Sequence, residues 1–137
     1  MKIYNEQIAL QSQKRQEVFN ITTQVKAAAE KSGLRDGIVV VSSQHSNTAV
    51  VVNEDEPRLQ DDLIEWLAEF SPLGESYRHQ DRLESTAHVR FQSLLLSHQV
   101  IVPFTQGCLD LGAKQAVLFV ELDGLRPRRI VVKIIGE

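Results

Sequence analysis

At 137 residues, with 42% hydrophobic and 24% charged side chains, the chain has the size and composition of one soluble globular domain, expected to span residues 1–137. A net charge of −3 excludes a non-specific nucleic-acid binder, which gathers a basic excess on one face, and no apolar run is long enough to span a membrane. The single cysteine, Cys108, cannot form an intramolecular disulfide, no Cys/His spacing resembles a zinc finger, and residues 1–6 carry no signal-peptide core, so a cytoplasmic setting is expected.

Residues 3–10 alternate weakly, Ile3, Asn5, Gln7 and Ala9 facing one way and Tyr4, Glu6, Ile8 and Leu10 the other, which predicts a strand near a sheet edge. Residues 17–21 predict a second strand, forming a hairpin with the first across a polar turn at 11–16. Thr22 or Thr23 then caps a helix with Val25, Ala28 and Ala29 on one stripe, closed by Gly33 in the left-handed conformation. After an Asp36-Gly37 turn, Ile38-Val39-Val40-Val41 is β-branched throughout and suits a buried strand.

The stretch 44–54 continues this strand pattern but is crowded with groups that can do chemistry, and Asp55-Glu56-Pro57 follows as a helix start. Over 57–70, Leu59, Leu63, Ile64, Leu67 and Phe70 recur at helical spacing with acids and Arg58 opposite; Trp66 borders the stripe and is expected in the core. Ser71-Pro72-Leu73-Gly74 stops that helix, and a polar loop carries Tyr77-Arg78-His79 to Ser85, the expected cap of a third helix ending near 96. There His88, Phe91 and Leu95 share a face, so His88 is expected to point inward. The remainder reads as strands at 99–104, 108–111, 114–121 and 129–135, the last two joined by a hairpin loop at 123–127. The whole predicts an α+β fold, a mostly antiparallel β-sandwich or flattened barrel with about three helices on one side.

His45, Ser46, Asn47, Asn53 and Glu54 thus lie between a rigid strand and a helix N-terminus, where backbone N–H groups favour an anion; the competing reading is a surface histidine with simple capping residues. His45, His79 and His88 come from a strand end, a loop and a first helical turn, from which three imidazoles could converge around a catalytic metal with one open position. Three unrelated histidines are the alternative, and His98 reads as ordinary surface.

The order of motifs resembles the YjbQ-like family, also called the secondary thiamine-phosphate synthase family, over nearly the whole chain. The matching residues are His45-Ser46-Asn47-Thr48, Asn53-Glu54, Glu56-Pro57, Asp61-Asp62-Leu63, Tyr77-Arg78-His79, Ala87-His88, Leu94-Leu95, Pro103, Gly107, Leu111-Gly112, Gln115 and Glu121-Leu122-Asp123-Gly124. Two positions depart from the pattern: Gly112-Ala113-Lys114-Gln115 stands where the family has Gly-Thr-Trp-Gln, and Glu84 replaces an expected Asn.

The resemblance implies a cytoplasmic homo-oligomer, a trimer, with a pocket holding the three histidines. It also implies an activity, principal or incidental, that joins an aminopyrimidine pyrophosphate to a thiazole phosphate. On that reading His45, His79 and His88 are the catalytic and metal-ligating residues, with zinc or magnesium as the divalent metal, and Glu54 orients a histidine. Ser46, Asn47, Asn53, Lys114, Gln115 and Arg128 are the expected substrate or phosphate contacts, although Arg128 within its basic turn also reads as solvated surface, and Glu54 as helix-terminal electrostatics. A second reading is a non-catalytic protein that binds a metal or a small phosphorylated metabolite; a third is a three-histidine hydrolase using a metal-bound water.

Overall fold

The computed structural model describes residues 1–74, 77–78 and 86–137. Eight strands and three helices follow in the order β1 (Lys2–Gln11), β2 (Glu17–Asn20), α1 (Thr22–Ser32), β3 (Gly37–Ser43), β4 (Thr48–Asn53), α2 (Pro57–Phe70), α3 (Ala87–Leu96), β5 (Gln99–Thr105), β6 (Cys108–Leu109), β7 (Ala116–Glu121) and β8 (Pro127–Gly136). They form a five-stranded sheet ordered β1-β8-β3-β5-β6 and a three-stranded sheet ordered β2-β7-β4, with antiparallel pairing throughout. The α+β expectation holds: the larger sheet curls into a half-barrel and the smaller sheet packs against it through the shared core.

The predicted hairpins do not exist as such. β1 pairs with β8 and β2 with β7, so residues 11–16 and 123–127 are connections that cross from one sheet to the other. Seen together, the four strands are one long two-stranded ribbon. Its last pair in the large sheet is Gln11 with Pro127 and its first in the small sheet is Glu17 with Glu121, six residues further along both strands, so the register is unbroken across the bend. The two connections are laced at the corner by Ser12 N–H and Oγ–H to the Arg126 carbonyl (both 3.3 Å) and by Gly124 N–H to the Arg15 carbonyl (2.8 Å). Periodicity alone could not distinguish this bent ribbon from two local hairpins, because both bury the same alternate residues.

Between the sheets lies the main core, in which Val39, Val41, Val102, Phe104, Ile130, Val132 and Ile134 of the large sheet meet Val50, Val117 and Phe119 of the small one. α1 closes this core with the predicted stripe, Val25, Ala28 and Ala29, and ends at Gly33 in the left-handed region (φ 71°). The outer face of the small sheet, through Ala49, Val120 and Leu122, is covered by Leu63, Ile64 and Leu67 of α2 and by Val89 and Leu96 of α3. β7 is therefore buried on both faces along its whole length.

α2 starts where expected: Glu56 accepts the Leu59 N–H at 2.7 Å and Pro57 occupies the first turn, where its missing N–H costs nothing. Trp66 is not a core residue; it is 52% exposed and stacks on Phe70 at a ring distance of 6.4 Å. The expected inward face of α3 is also corrected. Phe91 and Leu95 are exposed, and the buried face carries Ala87, Val89, Gln92 and Ser93. Two of these are polar, which hid the stripe; each is buried because it bonds to a backbone carbonyl, Gln92 Nε2 to Leu67 and Ser71 at the end of α2, and Ser93 Oγ to Thr48. The expected Ser85 cap lies outside the described residues, and helix α3 begins at Ala87.

No described helix covers the outer face of the large sheet. Its rows run across the strands as Ile3, Ile135, Ile38 and Pro103, then Asn5, Lys133, Val40 and Ile101, and end at Ala9 and Arg129. Ile3 and Ile101 are more than half exposed.

Candidate functional site

The turn between β3 and β4 is held rigidly. Ser43 Oγ and Thr48 Oγ1 share a buried hydrogen bond of 2.5 Å across its base, His45 N–H donates to Ser43 Oγ (3.2 Å), and Thr48 Oγ1 also lies 3.2 Å from the His45 carbonyl. The His45 ring is fixed as well, because Nε2 accepts the backbone N–H of Arg129 on β8 at 2.9 Å. A nitrogen that accepts carries no proton, so the neutral ring holds its hydrogen on Nδ1 and presents one donor. Burial, followed by the nearby Arg128 cation, lowers the basicity of His45 below 6.5; Glu121 pulls the other way and Arg129 adds to the lowering.

Two clefts meet at this turn and share Gln44 and His45. One, of about 670 Å³, lies between the turn and α3 and is lined by Ser43, Ser46, Arg90, Ser93, Leu94, Ser97 and His98 besides the shared pair. The other, of about 570 Å³, lies over the ends of β1 and β8 and is lined by Ala9, Leu10, Gln11, Pro127, Arg128 and Arg129. Among the described residues neither wall contains a carboxylate, in a chain whose net charge is −3. Arg90 folds back onto the first turn of its own helix, donating to the Thr86 carbonyl (3.2 Å) and hydroxyl.

Several expected site residues lie elsewhere. Arg128 is 5% exposed and its guanidinium forks onto Glu121, Nε to Oε1 and Nη2 to Oε2 at 2.7 Å each, with a third bond to the Asp123 carbonyl (3.1 Å); this pair ties β7 to β8 across the two sheets and leaves Arg128 no anion-binding role. Asn53 and Glu54 are at the far end of β4, about 17 Å from Thr48 at the usual rise per strand residue, so Glu54 cannot orient His45. Glu54 lines a separate polar cleft of about 450 Å³ with Lys114, Gln115, Lys26 and Asp55, where Gln115 Oε1 accepts the Gly112 N–H (2.8 Å). Asn47 is buried within the turn, while Ser46 is exposed and lines the larger cleft.

Of the three histidines, His79 falls outside the described residues. His88 stands two residues, or roughly 200° around α3, from Arg90, and one turn before Gln92 on the side that meets α2. It is therefore not on the cleft face of the helix, which carries Arg90, Ser93, Leu94 and Ser97. A metal on Nδ1 of a neutral His45 would require the proton on Nε2, in conflict with the Arg129 N–H bond. Among the described residues, no group of three His, Cys, Asp or Glu side chains is arranged to hold a metal ion. Three of the residues that do line the cleft, Arg90, Ser93 and the cap residue Ser97, had a signal in the sequence as polar positions at i, i+3 and i+7 along one face of α3; His98 follows them.

Fold and clefts together define an α+β protein of two antiparallel sheets with two clefts that adjoin one rigid turn. The chain belongs to the YjbQ-like UPF0047 protein family, whose pattern matches residues 6–137. It is 42% identical to a UPF0047 protein of Archaeoglobus fulgidus over 127 residues, 93% of this chain and 98% of that one, and 37% identical to one of Methanothermobacter thermautotrophicus over 137 residues, 100% of this chain and 95% of that one. Among solved structures it is similar to a YbjQ-like protein of unknown function from Sulfolobus solfataricus, with a TM-score of 0.94 and 34% identity over 99% of both chains. A YjbQ/UPF0047 family protein of Clostridium acetobutylicum is similar with a TM-score of 0.89 and 30% identity over 95% of this chain and 99% of that one.

These relatives correct the functional expectation. The relatives just given are named as UPF0047 proteins or YjbQ-like proteins, one of them of unknown function, and not as thiamine-phosphate synthases, which overturns the synthase expectation.

Proposed function

We propose that this protein binds a small phosphorylated metabolite in the cleft between the β3–β4 turn and α3. The observation that carries this reading is the lining: Arg90, His98, the Nδ1–H of His45 and the Ser46 hydroxyl can all donate, and among the described residues no carboxylate opposes them. The site is suited to binding rather than covalent chemistry. Ser43 and Ser93 already hydrogen-bond within the protein, and the one basic nitrogen of His45 is occupied by Arg129 N–H, so His45 is not a free base for a hydroxyl at this turn. The cytoplasmic setting expected from the lone cysteine belongs to the same reading.

Titration of isotopically labelled protein with inorganic phosphate is the test. Signals of Ser46, Arg90 and Ser93 should shift together, and Arg90→Gln should weaken binding about tenfold, the usual effect of removing one charge-assisted contact. Shifts confined to Lys26, Lys114 and their neighbours would place the anion at the opposite end of β4 and overturn the proposal.

The reading includes self-association. The uncovered rows of the large sheet expose Ile3, Ile38 and Ile101 on one face, an apolar surface that a monomer rarely leaves open. A second copy of the chain is the proposed cover, and native mass spectrometry at about 10 µM should show an oligomer, with a trimer as the expected count. A monomer at that concentration would defeat it.

A further inference from the structure

Two stripes that helical spacing assigns to the core end up at the surface. Leu59, Trp66 and Phe70 of α2 and Phe91 and Leu95 of α3 are each between 43% and 56% exposed. The stripes meet at the end of α2. Tyr77 stacks on Phe91 at a ring distance of 5.6 Å while its hydroxyl donates to the carbonyl of Pro72 (2.9 Å), just beyond Phe70. Gln92, beside Phe91, bonds to the Leu67 and Ser71 carbonyls. None of the five apolar side chains lines either cleft. The small sheet is already covered by Leu63, Ile64 and Leu67, so this apolar margin is surplus to the fold.

We infer that the margin docks a basic amphipathic helix of a partner protein. Leu59, Leu63, Trp66 and Phe70 follow one another at steps of four, three and four residues, the seam of a two-stranded coiled coil, and Phe91 and Leu95 supply a second wall. In such a seam the flanking residues set the choice of partner. One flank, Gln60 and Leu67, turns back on the protein: Leu67 is fully buried and Gln60 Nε2 donates to Asp55 (2.7 Å). The other flank is Asp62 and Glu69, both exposed and, among the described residues, without an ion-pair partner. A helix with lysine or arginine beside its own apolar stripe covers the rings and pairs both acids at once. A second copy docked through the same face would bring its own acidic flank to the seam, and anionic lipid headgroups would meet the same repulsion.

Trp66 is the only tryptophan of the chain, so its emission reports on the seam directly. The probes are two synthetic helices about three heptads long with the same leucine stripe, one flanked by lysine and the other by glutamate. The lysine peptide should move Trp66 emission to shorter wavelength and saturate, and the glutamate peptide should bind at least about tenfold more weakly. Asp62→Lys combined with Glu69→Lys should reverse that order, and Phe70→Ala should weaken the lysine peptide about tenfold. All three positions are exposed, and thermal unfolding checks that each variant keeps the fold. Equal affinities for the two peptides, or an unreversed order in the double variant, would overturn the inference. So would a Trp66 shift produced by vesicles of equal parts phosphatidylserine and phosphatidylcholine but not by the lysine peptide, which assigns the surface to a membrane. An oligomer in native mass spectrometry that Phe70→Ala dissociates would assign it to a second copy and overturn the inference equally.

Discussion

His45 is fixed at three points, and the bond through its ring makes its protonation state a property of the fold. Neutral imidazole accepts the Arg129 N–H; imidazolium cannot. Because burial and Arg128 lower its basicity below 6.5, the unfolded chain takes up a proton at a pH where the folded protein still refuses it. The stabilising contribution is therefore complete above 6.5 and is lost as pH falls from there toward the lower folded value. Urea denaturation at pH 7.5 and 5.5 should show a smaller loss of stability on acidification for His45→Gln than for the unaltered protein; identical losses would refute the assignment.

Arg128 and Glu121 give a second test at the same scale. Arg128→Ala leaves a buried carboxylate without its partner and should cost about 3–5 kcal/mol, whereas the double change Glu121→Leu with Arg128→Met should be close to neutral. Denaturant midpoints at one pH decide between them. His45 and Ser46 were legible as parts of one turn between two strands because a polar run inside a β-branched strand pattern is visible locally. Arg128 was misread because its partner lies seven residues away around a corner between two sheets, and a basic turn looks solvated unless that corner is known. Arg90 was passed over for the opposite reason: it sits on a helix whose buried face is partly polar, so the face could not be assigned from hydrophobicity.

At the scale of elements, the corner of the ribbon is the most demanding piece of backbone. A Cβ on Gly124 would lie 2.0 Å from the Lys14 carbonyl oxygen and 2.9 Å from Ser12 Oγ, so no side chain fits while the two connections remain laced. Gly124→Ala should destabilise the protein by about 2–4 kcal/mol, and thermal unfolding should show a drop of roughly ten degrees or more. A variant as stable as the parent would mean that the corner can spread. The helices were easier to read than this corner. α2 has the predicted bounds because Pro57 and Glu56 act within one turn of its start, and α1 ends at Gly33 for an equally local reason. Strand existence was legible for the same cause, but pairing was not: alternation states which face is buried and says nothing about which neighbour completes the ladder.

For the whole molecule, the arrangement of strands sets when the fold can form. The first twenty residues find their ladder partners only among residues 118–136, and β8 is the strand that lies between β1 and β3. As the chain is synthesised, β1 and β2 emerge about a hundred residues before their partners β7 and β8 and wait, unpaired, until those are made. Contacts so distant in sequence slow closure, and refolding should fall in the millisecond-to-second range of strand-rich domains, measurable by stopped-flow fluorescence of Trp66. Removing residues 127–137 should leave a chain with no cooperative thermal transition by circular dichroism, since among the described residues β1 loses its only neighbour and β3 loses one of two. During that wait the exposed ladder edge of β1 is open to other chains, and a translating cell would have to shield the opening residues of this protein until its last strand arrives.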